Sequence, residues 1–427
     1  MKKFCIIICM KKKFLISLIS LVLLTGCGQY YDDTDSVYPL GMNIFNFKIK
    51  VLDNDNPQNV IMPFDTSIFI KRYQKNNNFN DISVLFNETF QKLHVYFDVN
   101  YKYSINGDKI NNLKVINESY GQNEFLEIPF ELYDIIDKSI DFSILSKGKY
   151  NIAIGELATL WNNYIINSEN NYSKSIPSEG EINLALSNTP KYDELNKLIE
   201  LKEENNKYFI KFNKLDGYEK VSLSLGAVGK GYANDVMKEL LNDEQGYISS
   251  GESLITFLSK PIGDYWNLKL TNPLYMKKYK MKEDYQKYNY TELKIQKNDK
   301  FSISTSGDYE RFFYDDNKTI YHHIIDPISG YPSGLKNDYS FTSISAITEH
   351  GIYADMITTA LMNMNLEDGM NFVKEIENKY QTSIYPIWLE ENNNKITAYV
   401  DNNLLNDVSL DNENNNRNIT TIKSVKH

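Results

Sequence analysis

Four stretches of the sequence gather residues suited to a charged ligand. The first is SLGAVGKGYANDVMKELL, residues 224–241, in which Gly226, Ala227, Gly229 and Gly231 surround Lys230. Glycine lets a backbone approach a ligand closely. Free amides at a helix start attract an anion and the lysine adds a point charge, so the stretch suits a phosphate. Its spacing is not that of a Walker A loop, and a glycine-rich turn with a solvated lysine fits it equally well. The second is SISTSGDYERFFYDDNKTIYHHIIDPISGYPSG, residues 302–334. It offers the hydroxyls of Ser304, Thr305 and Ser306, the charged Asp308, Glu310 and Arg311, and His322 and His323 before a Gly-Tyr-Pro turn. Polar groups this dense on loops read as a site, although a lone His323 is more often a core histidine. The third is YADMITTALM, residues 353–362. Asp355, Thr358 and Thr359 fall at i, i+3 and i+4 and share one helical face. A carboxylate with hydroxyls suits a hard cation such as Mg²⁺; a capping aspartate followed by back-bonded threonines is the alternative. The fourth, GKYNIAIGELATLWNNY at 148–164, has Lys149 and Glu156 as its ionic groups, and its residue types alone read as structural.

The elements that must position these residues alternate between the two helix and strand periods, which makes the class α+β. Strands are expected at 65–73 and in GYISSG, WNLKLTN, FSISTS, FTSISAI, TSIYPIWLE and KITAYV. Helices are expected at 82–97 with Asp81 as N-cap, at 129–148 with a stop near Gly148, over KYDELNKLIELKEE, at 231–243, and over YADMITTALMNM and LEDGMNFVKEIENK. The expected organisation is a signal segment at 1–26, a tether at 27–60, one catalytic domain at 61–400 and a disordered tail at 401–427.

Of the 427 residues 42% are hydrophobic, enough for a core, and the formal charge is −10 with no dominant basic patch, which argues against nucleic-acid binding. The three cysteines, Cys5, Cys9 and Cys27, all lie near the start, so the rest of the chain has no disulfide framework or thiol nucleophile. Met10 opens MKKKFLISLISLVLLTGC. Three lysines precede an 11-residue apolar run, too short to span a bilayer and suited to a signal peptide. The run ends in Leu24-Thr25-Gly26-Cys27, which resembles a bacterial lipobox whose cysteine is lipidated. Five lysines and no acids precede Cys27, so cleavage there would take the charge to −15. The lipid, not a basic face, would then hold the protein on the outer side of the cell membrane.

The four stretches, in this order, resemble the ApbE family of FAD:protein FMN transferases. The family's glycine–lysine signature corresponds to SLGAVGKGYAND, its strand-and-loop motif to STSGDYERF and HIIDP with GYP at 304–332, its late motif to ADMITTAL, and its GxFDxTVGPLxxLW to an eroded GKYNIAIGELATLW. PFDTSIFIKRY is similar to the opening strand, with Thr66 in place of the family's threonine. The resemblance covers about residues 60–390. It implies binding of FAD and Mg²⁺, cleavage of the diphosphate with loss of AMP, and attachment of FMN through a phosphodiester to a threonine of a target flavoprotein. It also implies that Asp355 and Thr359 ligate Mg²⁺ with the Ala227 carbonyl, that Lys230 lies near the nucleotide, that Ile324 lines the FAD pocket and that Phe64 contacts the flavin. The acceptor hydroxyl needs a base; His323 is the first candidate and Asp308 the rival.

The chain departs from the family pattern at Ser224, where an aspartate contacts FAD, at Tyr150-Asn151 for Phe-Asp, and at Gly251-Glu252-Ser253 for Gly-Gly-Ser. Two other readings stay open: a FAD pyrophosphatase, in which water replaces the threonine, and a non-catalytic FAD-binding surface lipoprotein, which Ser224 and the eroded 148–164 stretch favour. The chain carries no Asp-x-x-(Ser/Gly)-Ala-Thr acceptor pattern of its own.

Overall fold

The computed structural model describes residues 29–31, 42–48, 51–52, 60–61, 65–71 and 79–426, except 106, 172–174, 242–243, 245, 251–252, 260–264, 280–290, 299 and 411–418. Phe64 and Cys27, with the whole signal segment, lie outside the described residues. The expected α+β class is observed. Its centre is a seven-stranded sheet in the spatial order Tyr247–Ser250, Leu254–Phe257, Phe301–Gly307, Ser343–Thr348, Ile384–Asn392, Lys395–Asp401 and Ile419–Val425. All neighbours are antiparallel except the last pair.

The two-residue period of the strands divides the interior. Ile344, Ala346, Ile384 and Trp388 face the larger core, which takes in the helices Gly229–Leu240, Gly351–Met362 and Leu366–Tyr380. Phe301, Ile303, Ile347, Ile387 and Val400 face a second core, closed by Trp266, Leu268, Leu293 and Ile295 of a four-stranded sheet. A satellite core joins Leu157, Trp161 and Ile165 of helix Gly155–Asn171 to Phe313 and Tyr321 of a short hairpin. Trp161 stacks on Tyr321 at 5.8 Å and donates from Nε1 to the Gly330 carbonyl at 2.9 Å. Among the described residues no helix is long and apolar enough to cross a membrane.

Four local expectations need correction. The helix expected at 82–97 starts at Phe79, so Asp81 is inside it and does not cap it. The helix expected over KYDELNKLIELKEE is a 3₁₀ turn and the single helical turn Leu195–Leu198, followed by the strand Ile199–Glu204. Asn205 and Asn206, both at positive φ, return the chain into Lys207–Phe212; asparagine tolerates that conformation and sets a hairpin register. The tail expected to lack structure contributes Val408–Leu410 to the smaller sheet and Ile419–Val425 to the larger. Within the expected tether, Met42–Lys48 pairs with Asp65–Lys71, and Gln29–Tyr31 pairs with Trp266–Thr271.

Candidate active site

Three elements meet at the candidate site: the lysine helix Gly229–Leu240, the aspartate helix Gly351–Met362, and the central strand Phe301–Gly307. The two helices cross at glycines. A Cβ on Gly231 would sit 2.3 Å from the Gly351 carbonyl oxygen, and one on Gly351 2.8 Å from the Gly231 oxygen. The lysine helix has no side-chain cap at Val228. Its early amides are therefore free to bond elsewhere. Gly231 N–H, the third amide of the helix, donates to Asp355 Oδ2 at 2.7 Å.

Asp355 is buried within the helix and is not a cap. Ser304 Oγ donates to its Oδ1 at 2.6 Å. Burial raises its pKa, opposed by the Lys230 charge and by the Ser304 and Gly231 donors. Both threonines are back-bonded: Thr359 Oγ1 donates to the Asp355 carbonyl at 3.1 Å, and Thr358 Oγ1 bonds the Ala354 and Asp355 carbonyls. Thr358 also accepts from Ser306 Oγ at 3.0 Å, which ties it to the strand. Back-bonding spends a hydroxyl's proton and leaves its lone pairs, so Thr359 keeps acceptor capacity beside Asp355. Asp355 and Thr359 present carboxylate and hydroxyl oxygens one helical turn apart, an all-oxygen chemistry. This fits Mg²⁺, which takes few protein oxygens and keeps water and phosphate ligands. Among the described residues no cluster of three or more His, Cys, Asp or Glu suits a softer metal.

Lys230 is half-buried and donates to Ser253 Oγ. Its charge reaches both Asp355 and His323, lowering the pKa of each, so the three lie in one electrostatic neighbourhood. His323 is exposed to solvent, next to the buried His322. Desolvation by neighbouring protein atoms, then the charges of His322, Arg311 and Lys230, lower its pKa. The imidazole is therefore neutral at pH 7 and able to accept a proton. The adjoining His322 is the core histidine of the pair. Ile324 N–H donates to its Nδ1 at 3.3 Å, so Nε2 carries the proton and donates to the Ser333 carbonyl at 3.1 Å.

Burial lowers the His322 pKa to about 4. Between its unfolded value near 6.5 and pH 4, the unfolded chain takes up a proton that the native state refuses, so stability falls as pH falls through that window. The ring is fully buried, and the loss amounts to about 3 kcal/mol at most. Asp235, raised to about 6 by burial against its bonds to Ile352 and Gly351, opposes this, favouring the native state as pH falls from 6 to 4. Urea midpoints of wild type and His322→Gln at pH 7 and 4.5 isolate the histidine: the acid-side loss shrinks in the variant.

Asp308 is not presented as a base. It is buried, with Oδ2 2.7 Å from Lys277 Nζ and Oδ1 accepting from Thr342 Oγ1 at 2.8 Å. Burial raises its pKa while Lys277 and Thr342 oppose the rise. Both oxygens are engaged in holding the end of the central strand. Ile324 is buried in the larger core beside the His323 loop. Ser224 is half-buried, and its Oγ accepts from Gly226 N–H at 3.4 Å, a turn contact that an aspartate oxygen also makes. Asn151 donates to the Pro190 carbonyl at 2.8 Å and accepts from Ala153 N–H at 2.9 Å. An ionised aspartate cannot make the first bond, so this departure from the family is structurally compensated. Tyr150 lies close enough to Asp355 for that carboxylate, after burial, to raise its pKa. The fourth stretch thus adjoins the other three. Sequence reasoning assigned no role to Ser253, Asp235 or Asn363; Asp235 accepts from Gly351 N–H at 2.7 Å and Ile352 N–H at 2.9 Å and so caps the aspartate helix.

The fold described here, a mixed α+β domain, is that of solved flavin transferases. The chain superposes on the ApbE protein of Thermotoga maritima with a TM-score of 0.56 at 21% identity, covering 81% of this chain and 94% of that one. It superposes on flavin transferase ApbE of Vibrio cholerae with a TM-score of 0.59 at 16% identity, covering 86% and 99%. At those identities the likeness is one of fold. In sequence, residues 64–384 match the ApbE family profile, and the chain belongs to the ApbE family. It is 27% identical over 265 residues to a FAD:protein FMN transferase of Klebsiella pneumoniae, covering 61% of this chain and 71% of that protein. It is 28% identical over 256 residues to one of Buchnera aphidicola, covering 60% and 64%.

Proposed function

We propose that this chain is a Mg²⁺-dependent FAD:protein FMN transferase. The observation that carries the reading is a buried Asp355 carboxylate, bonded by the Gly231 amide, beside a lysine whose charge reaches both it and a neutral, exposed His323. The similarity to named FAD:protein FMN transferases supports it. Asp355, Thr359 and the Ala227 carbonyl would hold the metal. When bound, Mg²⁺ supplies charge neutralisation for the diphosphate and the departing AMP.

The chain's own residues do the rest. Lys230 draws in the diphosphate and screens its charge. The cations around His323 depress its basicity in the free protein; a bound diphosphate offsets them and raises the ring toward the range of an effective base. His323 then takes the proton of the acceptor threonine as its Oγ attacks the FMN phosphorus. The P–O bond to the AMP phosphate breaks, AMP leaves with the bonding pair, and the threonine carries FMN through a phosphodiester. We read Ile324 and, outside the described residues, Phe64 as flavin neighbours, and Cys27 as the lipid anchor that places the domain on the extracytoplasmic face near exported or membrane flavoproteins.

The test is stoichiometry. Residues 28–427 with FAD, Mg²⁺ and a protein carrying an Asp-x-x-(Ser/Gly)-Ala-Thr site should yield AMP and modified acceptor in equal amounts, with no AMP when the acceptor is omitted. AMP with free FMN in the absence of acceptor would identify a pyrophosphatase, and FAD binding without any product a non-catalytic binder.

A further inference from the structure

The side chain of Asn363 sits where three of the four sequence stretches meet, and it belongs to none of their matched motifs. It is fully buried. Its Nδ2 lies 3.1 Å from the Lys149 carbonyl, 3.2 Å from the Ile325 carbonyl and 3.4 Å from the Thr359 carbonyl. Those carbonyls belong to the Gly148–Trp161 stretch, the loop that follows His323, and the helix that carries Asp355 and Thr359. The amide orientation is fixed by these neighbours, because a flipped side chain would point its oxygen at three other oxygens. Its Oδ1 meanwhile is buried without a hydrogen-bond partner. An unpaired buried acceptor is unfavourable, so the position is held by its donors.

The surrounding contacts repeat the same junction. Ser333 Oγ, in the histidine loop, donates to the Met362 carbonyl, and Tyr339 Oη donates to the Asn363 carbonyl at 2.6 Å. The last carbonyls of a helix lack intrahelical partners. Here side chains of the 333–339 segment satisfy two of them, and Asn363 extends the connection to the Ile325 and Lys149 backbones.

We propose that Asn363 is a positioning residue that fixes the His323 loop against the helix bearing Asp355 and Thr359. It touches no reacting atom. Its role is to set the separation between the proton acceptor and the phosphate site, and its catalytic consequence rests on the transferase reading above.

The experiment compares wild type with Asn363→Leu, which keeps the branched heavy-atom skeleton and removes both donors, and Asn363→Ser, which retains one shorter donor and adds no bulk, using residues 28–427. Native-state hydrogen exchange reads the loop directly: amides of residues 323–334 should exchange at least about tenfold faster in both variants, with those of strand Phe301–Gly307 unchanged. Turnover with the acceptor protein should fall roughly 10–100-fold while the KM for FAD stays within about threefold, the signature of lost alignment with binding retained. Unchanged loop exchange in folded variants overturns the proposal. So does faster exchange throughout the protein, or failure of both variants to fold, since either makes Asn363 a general stability residue. A wild-type protein that makes no product instead overturns the transferase reading, and the exchange result still decides whether Asn363 holds the loop.

Discussion

Asp355→Ala eliminates transfer while leaving the protein folded. The carboxylate is the sole acidic group in the donor set that we assign to the metal. Removing it discards the charge that would hold Mg²⁺ against the diphosphate. Loss of one such electrostatic contributor costs about 10²–10³ in rate, and loss of the bound ion adds to that, so an effect of about 10³ or more is expected. Stability should move far less. The carboxylate is buried and its pKa is raised by that burial, so the ionised form strains the native state at neutral pH. Its removal relieves that strain but leaves Ser304 Oγ and the Gly231 amide without their acceptor. The two effects oppose, and the unfolding midpoint should shift by about 1–2 kcal/mol or less. Steady-state AMP release and urea unfolding on the same preparation check both halves. A variant with wild-type turnover would remove Asp355 from the metal site.

Gly231→Ala gives the largest stability effect we expect. Alanine is ordinarily better than glycine in a helix by about 1 kcal/mol. Here the added Cβ would lie 2.3 Å from the Gly351 oxygen, 2.5 Å from its carbon and 2.7 Å from the Ile352 nitrogen. These are backbone atoms of a buried helix and have no rotamer to escape through. The helices must separate, and overpacking of this kind costs about 1–3 kcal/mol before propensity is credited. We expect a net destabilisation of about 1–2 kcal/mol, toward the upper end because the contacts are with backbone, seen as a lower urea midpoint at constant slope. Activity should fall about 100-fold, because separation pulls the Gly231 amide off Asp355 and displaces the donor set by a distance catalysis does not tolerate. The same substitution at Gly180, where the nearest atom is a side-chain oxygen 3.9 Å away, should be mild.

Much of the architecture was legible because the periods were clean. FSISTS reads as a strand, and its even positions, Ser304 and Ser306, do face the aspartate helix, where they meet Asp355 and Thr358. The shared face of Asp355 and Thr359 followed from their spacing alone. KYDELNKLIELKEE was misread because its acidic and lysine residues suit a helix, whereas the alternation of Ile199 and Leu201, with the Asn205-Asn206 turn, decides for a hairpin. The tail was misread because its asparagine-rich stretch masks Ile419 and Ile422, which complete the sheet edge beside Lys395–Asp401.

In the site, residue type placed Asp308 among the bases, but it cannot reveal that Lys277, 31 positions earlier on another element, occupies its carboxylate. The sequence put His323 first as the base, but the two adjacent and chemically identical side chains carry no physical reason to prefer it over His322. The backbone supplies it: His322 ends a strand and turns inward to Ser333, and His323 is left exposed. Asn363 escaped notice because its partners are carbonyls, which every residue has and no motif marks.

The central claim is that this chain moves FMN from FAD to a protein hydroxyl, and the acceptor's mass tests it most directly. Wild-type residues 28–427 incubated with FAD, Mg²⁺ and an Asp-x-x-(Ser/Gly)-Ala-Thr protein should raise the intact mass of that protein by one FMN, with no gain under chelator or with Asp355→Ala. An acceptor of unchanged mass beside a chain that has bound FAD would contradict the account.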